Sequence, residues 1–431
     1  MPEARVAAPL TTDAAARVAA EVYGLTAEIR VLPGEYDDNF HLKTADSHAF
    51  VLKLMHPARE DAFVDMQCRA FTHLAGKAPH LALPRVIPTA RGELYSRVTL
   101  EDETSRLVWM LSYLPGTTLK ESKPHTPALL GSLGRLLAEI DLALMDFVHP
   151  GTQRFLKWDL SRSNWARDYL GHVAEPERRA LAKKFLNVFE EEAVPRFPLL
   201  RRSVIYGDAN DHNALVDPQT QRVVSVIDFG DMHEGFTVGD PAIAAAYSVL
   251  GKDDPLAAAG AVLLGYHEIL PLTEEEIGAF FALMGARLAV SVVNSAHRKS
   301  LVLDDPYVTV SEGPAWAALE RLAAIDARRA REYFRAAAVK MAPIAGSISS
   351  MGSGGVLKRD ITFEESLAAR KRFLGGNLSL SYEKPLKIVR GSMQHLTTRR
   401  GGRIWTFITM CPWWGIRIPG WCAPFRSRWR C

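Results

Sequence analysis

Cysteine is scarce in this chain. Its 431 residues hold four, Cys68, Cys411, Cys422 and Cys431, and three of them lie beyond residue 410. With one cysteine left for the body of the chain, a disulfide framework and a cysteine-rich zinc site are excluded there, and a reducing cytoplasm is the expected compartment. An excess of charge is also missing: 52 Lys and Arg stand against 49 Asp and Glu, a net +3. That balance gives no support to a nucleic-acid-binding protein. No uncharged apolar run is long enough to span a bilayer. Met1-Pro2-Glu3-Ala4-Arg5 lacks the apolar segment of a secretory leader, so no signal peptide is expected. What remains is an ordinary globular composition, 48% hydrophobic and 23% charged, in a chain long enough for a two-lobed enzyme and part of another domain.

The densest chemistry lies between residues 204 and 231. Val204-Ile205-Tyr206 is β-prone and runs into Gly207-Asp208, so a strand is expected to end at a loop carrying an acid. Asn213 follows five positions after Asp208. A short strand from Ala214 to Val216, a turn at Asp217-Pro218-Gln219-Thr220 and a second strand from Arg222 to Ile227 then deliver Asp228. Such a hairpin returns its far end to its start, so Asp208, Asn213 and Asp228 are expected to meet. Two carboxylates and an amide oxygen, without His or Cys, make a hard oxygen site suited to Mg²⁺ holding phosphates. The remaining acid can orient a hydroxyl nucleophile. Both the D-x-x-x-x-N spacing and Asp228-Phe229-Gly230 have the layout of a kinase catalytic loop and its metal-binding Asp. A hairpin with solvated acids at its ends is the plain alternative; the preceding strand and the Ile-Asp-Phe-Gly run favour the site.

The segments Tyr206-Gly207-Asp208-Ala209-Asn210-Asp211-His212-Asn213, Val226-Ile227-Asp228-Phe229-Gly230-Asp231-Met232 and Gly239-Asp240-Pro241 resemble the aminoglycoside phosphotransferase / choline kinase superfamily. Within it they are most like the hydroxylysine kinase group and the bacterial kinase domains fused to class III aminotransferases. The likeness runs from about residue 13 to about residue 340. It implies an α+β, bilobal, protein-kinase-like fold: a small antiparallel β-sheet N-lobe over residues 1–114 and a larger, mainly α-helical C-lobe over 115–341. It also implies transfer of the γ-phosphoryl of ATP or GTP to a small amino-alcohol, 5-hydroxylysine first among them. Asp208 is then the catalytic aspartate that orients the hydroxyl and accepts its proton, Asn213 and Asp228 the Mg²⁺ ligands, and Lys53 of Val51-Leu52-Lys53 the phosphate-contacting lysine. Backbone groups of Ser112, Tyr113 and Leu114 would read the purine at the hinge. Asp240 is implied to tether the catalytic loop and His233 to hydrogen-bond within its own loop. Asp211, Asp231 and Glu234 lie near the mouth and could attract a substrate ammonium, with loop solvation as the alternative.

Two departures from the family pattern stand out. The family usually carries His two positions before the catalytic Asp, mainly as a loop brace; here it is Tyr206. The lysine's partner carboxylate, expected on a helix from about Arg59 to Ala75, aligns with Gln67, while Asp65 sits on another face. Together with the broken second domain, these motivate a rival reading, a nucleotide-binding or interaction module without turnover.

Elsewhere, helices are expected over Asp13–Tyr23, Thr126–Met145, Pro176–Glu192, Asp240–Leu250, Thr273–His297 and Ala315–Ala338, and strands at Glu28–Leu32, Phe40–Lys43, Ala49–Met55, His80–Pro88 and Leu107–Leu114. The turn at Thr44-Ala45-Asp46-Ser47 is either a phosphate cradle or a plain hairpin. Trp158 reads as a packing anchor rather than a substrate platform.

Residues 342–355 have linker composition, and 367–391 look like the opening of a class III aminotransferase; a working aminotransferase is disfavoured because most of that domain is missing. From Thr397 to Cys431 there are seven Arg, no Lys, no acid and five Trp. That composition also suits a basic membrane-surface or nucleic-acid tail. A one-base shift of high-GC codons turns the segment into words that an aminotransferase N-terminus uses, so 397–431 is expected to be a frameshifted, disordered tail following a truncated remnant over 342–396. Reading the gene checks this: a second open frame should continue past codon 396, and its absence would discard the shift.

Overall fold

A computed structural model describes residues 9–301, 312–341 and three short strands between 388 and 405. The chain divides into two units, Met1–Ser347 and Ile348–Cys431. In the second, strands Ile388–Ser392, His395–Thr398 and Arg403–Trp405 form an antiparallel sheet that crosses position 397. The expected linker and the rest of the remnant and tail lie outside the described residues.

The first unit opens with helix α1 (Thr12–Tyr23), started by Thr11, whose side chain accepts from the Ala14 N–H, and ended by Gly24 at φ +66°. Strands β1 (Glu28–Leu32), β2 (Asp38–Lys43) and β3 (Ala49–Leu54) follow, then α2 (Asp61–Lys77), β4 (Val86–Ile87), β5 (Ser96–Thr99) and β6 (Ser105–Ser112). They make one antiparallel sheet in the order β1-β2-β3-β6-β4, with β5 also on β6. Side-chain alternation splits the sheet between two cores. Phe40, Leu42, Leu52, Leu54, Val108 and Met110 pack with Ala15, Val18 and Tyr23 of α1. Leu107, Trp109 and Leu111 face the other way and join Val64, Phe71 and Leu74 of α2 in the main core.

The larger lobe contains β7 (Thr117–Thr118), α3 (Pro127–Leu144), α4 (Pro176–Val188), β8 (Arg202–Ile205), β9 (Ala214–Asp217), β10 (Arg222–Val226), β11 (His233–Phe236), α5 (Gly239–Ser248), α6 (Pro255–Ile269), α7 (Glu274–Leu301), α8 (Glu312–Ala323) and α9 (Ala327–Met341). Helices α3 and α6 touch backbone to backbone: a Cβ on Gly265 would lie 2.0 Å from the Gly131 carbonyl. Helix α7 is long and apolar enough to cross a membrane, but the apolar window of that helix is 94% buried inside the protein. The fold is thus the α+β, two-lobed kinase-like one.

Several expected elements differ. The 80–88 strand is reduced to β4, since Pro84 and Pro88 flank it. The segment after Asp231, expected as a loop, contains β11, which pairs with β8 from His233↔Ile205 to Phe236↔Arg202. Helix α6 was not anticipated, because its Ala- and Gly-rich sequence is buried on most sides and shows little periodicity. The single helix expected over 315–338 is two, α8 and α9.

A pair of buried acids lies beneath the site. Asp141 on α3 and Asp240 on α5 are both 0% exposed. Asp240 accepts the backbone N–H groups of Tyr206 (2.9 Å) and Gly207 (2.7 Å). Burial, then the adjacent Asp240 charge, holds Asp141 well above the usual carboxylate range. It is therefore protonated and donates to Asp240 while accepting from the Tyr266 hydroxyl. An acid whose pKa is raised by folding contributes stability below its unfolded pKa and loses it as pH rises toward the folded value. Asp141→Asn keeps a donor toward Asp240 without needing a proton. Its unfolding free energy, read from urea denaturation, is expected to match the wild type at about pH 4 and to exceed it at about pH 8 by an amount on the order of 1–2 kcal/mol.

Candidate active site

Strand β8 runs into Tyr206 and Gly207, where the chain turns sharply. Gly207 has φ +81°, and a Cβ there would lie 2.6 Å from the Asp231 carbonyl, so the turn needs glycine. Asp240 ties down both N–H groups of this turn, and the next residue is Asp208. The Oδ2 of Asp208 accepts from Asn213 Nδ2 at 2.7 Å and Asn210 Nδ2 at 3.0 Å; its Oδ1 accepts from an Arg287 NH2 at 3.0 Å. Burial pushes its pKa up to about 6, against the opposing pull of the Arg287 charge.

The β9–β10 hairpin brings Val226 opposite Ala214, and the Ile227 N–H donates to the Asn213 carbonyl at 2.9 Å. The Tyr206 hydroxyl donates to the Ile227 carbonyl. Asp228 follows with φ +62°, a left-handed conformation that costs energy for a residue with a Cβ and is held by these neighbours. Its Oδ1 lies 3.8 Å from Lys53 Nζ on β3 and accepts from the Gly230 N–H at 3.1 Å. Asp208, Asn213, Asp228 and Lys53 line one cleft between the lobes, with a volume of about 770 Å³. The β1–β2 turn, Pro33 to Asp37, covers one side and residues of α7 the other. Glu35 of that turn pairs with Arg298 of α7 across the mouth. The Thr44–Ser47 turn closes as a hairpin between β2 and β3 and does not line the cleft.

Tyr206 is 0% exposed and takes up bracing through its phenol. Its ring centroid lies 4.9 Å from that of Phe229, which is 4.4 Å from Phe71 on α2. The two loops are thereby packed onto the smaller lobe. Gln67, at the position aligned with the lysine's partner, donates to the Phe63 carbonyl within α2, and the carboxylate paired with Lys53 is Asp228. Asp65 faces Arg69 and His149 instead. At the hinge, β6 pairing continues too far for all three N–H groups to read a purine. The Ser112 N–H goes to the Arg85 carbonyl and that of Tyr113 to the Ala49 carbonyl, which leaves Leu114 as the N–H donor of the three.

Of the three acids considered for an ammonium, Asp231 lines the cleft, and Asp211 and Glu234 do not. Asp211 is 8% exposed, with its carbonyl accepting from the Lys120 N–H. Glu234 sits on β11 beside Arg202 and Gln153, because strand pairing turns it outward. Burial and then the Asp208 charge push Asp231 up to about 7, opposed by Arg154 and Arg287. His233 is buried, which lowers its pKa, and its Nδ1 bonds the Asp231 carbonyl. Trp158 lines the cleft with the Arg287 guanidinium 4.5 Å from its ring centroid. Arg287 itself escaped the sequence reading. Its signal is being the one Lys, Arg, Asp or Glu between Glu276 and Arg298; a lone charge in a buried helix needs a partner.

Residues 28–280 match the phosphotransferase enzyme family, more than half of the chain, and the chain belongs to that family. Its relatives include the hydroxylysine kinase of Danio rerio, 31% identical over 293 residues that cover 64% of this chain and 81% of the relative. The Xenopus laevis hydroxylysine kinase is 28% identical over 338 residues, covering 73% and 90%. Among solved structures, a microcompartment-associated aminopropanol kinase aligns with TM-score 0.56 at 18% identity, covering 76% of this chain and 99% of its own. An amicoumacin kinase aligns with TM-score 0.57 at 11% identity, covering 74% and 97%. At such identities the structures show the shared fold. The chain is a small-molecule phosphotransferase with hydroxylysine kinases among its homologues.

Tyr206→Phe removes the donor to the buried Ile227 carbonyl while keeping the ring contact. It is expected to lower unfolding free energy by about 1–3 kcal/mol, read from urea denaturation; an unchanged midpoint would show that the brace is not the phenol.

Proposed function

We propose that this chain transfers the γ-phosphoryl group of ATP or GTP to the hydroxyl of a small amino-alcohol, of which 5-hydroxylysine is the first choice. The observation that carries the reading is the convergence of Asp208, Asn213, Asp228 and Lys53 on one cleft between two lobes. The names of two neighbours, a hydroxylysine kinase and an aminopropanol kinase, each join a hydroxyl and an amine on the acceptor.

In this mechanism the acceptor hydroxyl is oriented by Asp208, which takes its proton as the oxygen–phosphorus bond forms and the nucleoside diphosphate leaves. The carboxylate of Asp228 and the amide oxygen of Asn213 are hard donors that fit Mg²⁺; the Asn213 nitrogen is spent on Asp208, which aims its oxygen elsewhere. When bound, that ion neutralises charge on the phosphates. The amicoumacin kinase solved with AMP-PNP and Ca²⁺ accords with a divalent ion beside a nucleotide. Lys53 steadies the phosphates, and the Leu114 N–H with nearby carbonyls reads the base. Asp231 has no hydrogen-bond donor to its carboxyl among the described residues, so a substrate ammonium would supply the missing charge. The chemistry is mostly positioning and charge neutralisation. Tyr206 still bracing its loop weakens the rival reading of a module without turnover.

The test is Mg²⁺-dependent nucleotide turnover across 5-hydroxylysine, ethanolamine, choline, homoserine and an aminoglycoside. Asp208→Asn should lose about 10²–10⁴-fold in kcat with the fold retained; an undiminished rate would remove Asp208 from its role. Asp228→Asn should raise the Mg²⁺ concentration needed for half-maximal rate. Nucleotide binding without turnover on any acceptor would establish the non-catalytic module instead.

A further inference from the structure

Arg287 is 2% exposed, near the middle of α7. Its guanidinium lies 4.5 Å from the Trp158 ring centroid and 5.5 Å from that of Tyr247, with which it also shares a side-chain hydrogen bond. One NH group is 3.5 Å from the Trp158 carbonyl and the other donates to Asp208 Oδ1 at 3.0 Å. Burying a cation is costly unless it is paired, and a charge meant only to offset acids would be better solvated at the cleft rim. This one is buried against aromatic side chains, and the carboxylate it donates to is that of Asp208.

The hydrogen bonds around Asp208 are unequal. A carboxylate has about four acceptor sites, two on each oxygen. Oδ2 already takes two donors, from Asn210 and Asn213. Among the described residues Oδ1 takes one, from Arg287. The open acceptor site of Asp208 is therefore on Oδ1, beside the guanidinium.

We propose that Arg287 is a positioning residue that selects which oxygen of Asp208 meets the acceptor: it fixes Oδ1 through one hydrogen bond while Asn210 and Asn213 saturate Oδ2, so the hydroxyl is oriented by Oδ1. The nucleophile then lies beside a fixed cation. A planar guanidinium can lie against an aromatic ring and still donate in its own plane; an ammonium cannot do both. Arg287 therefore sets the angle of the attacking hydroxyl without touching the nucleotide. This rests on phosphoryl transfer to a hydroxyl, though not on which amino-alcohol carries it.

Steady-state kinetics on Arg287→Lys and Arg287→Ala test it, with nucleotide affinity measured separately by calorimetry. Arg287→Lys should keep its nucleotide Kd within about twofold and lose about 30-fold in kcat, with acceptor KM changed far less. Millimolar guanidinium should restore part of the rate of Arg287→Ala. Adding Arg287→Ala to Asp208→Asn should cost little beyond Asp208→Asn alone, because one residue acts through the other. A wild-type kcat in Arg287→Lys, an equal fall in nucleotide affinity, or an additive double variant would overturn the assignment. If Arg287→Ala does not fold, the kcat-against-KM split in Arg287→Lys decides alone. Absence of turnover in the wild type would instead overturn the phosphoryl-transfer reading and this assignment with it, whereas an active wild type with an indifferent Arg287→Lys sinks only the latter.

Discussion

Ile227 is held by its two backbone groups. Its N–H reaches the Asn213 carbonyl and its C=O receives the Tyr206 hydroxyl. Those two bonds join the loop that carries Asp208 and Asn213 to the loop that carries Asp228. They fix the backbone just before Asp228 and so help hold its positive φ, which a residue with a Cβ would otherwise tend to relax. Below this clamp, the Asp141–Asp240 acid pair anchors the turn at Gly207. Beside it, the Tyr206, Phe229 and Phe71 rings carry the position of both loops to the smaller lobe.

The charges of the cleft follow from this frame. Six carboxylates line it, and three of them, Asp208, Asp228 and Asp231, come from the two loops that Ile227 joins. Each would repel the others if left bare, and Lys53 and Arg287 are each placed against one of them. Asp231 is left with the weaker, longer-range pull of Arg154 and Arg287. A site built this way has room for added positive charge, which a divalent ion and an ammonium-bearing acceptor can supply.

Some of the architecture was open to view in the residue order. The β9–β10 hairpin was readable because its turn, Asp217-Pro218-Gln219-Thr220, is local and its strands alternate. The same holds for β2, β3, α1 and α3, whose caps and periodicity lie within a few residues. β11 was not readable, since its partner β8 lies about thirty residues upstream and Gly235 weakens its strand signal. The pairing of Lys53 was expected on α2, where Gln67 stands, but is made with Asp228. Glu234 and Asp211 looked equivalent to Asp231 by proximity; strand pairing and burial separate them.

The order of residues by itself determined the family membership, the spacing of Asp208, Asn213 and Asp228, and the local elements that carry them, because those signals are short-range in the chain. Only the tertiary structure decided that a tyrosine braces the Asp208 loop, that the Ser112 and Tyr113 N–H groups go to backbone carbonyls, and that Arg287, seventy-nine positions from Asp208, closes on its Oδ1. Contacts between distant segments depend on how helices and sheets pack, and packing is set by the whole core rather than by any local word.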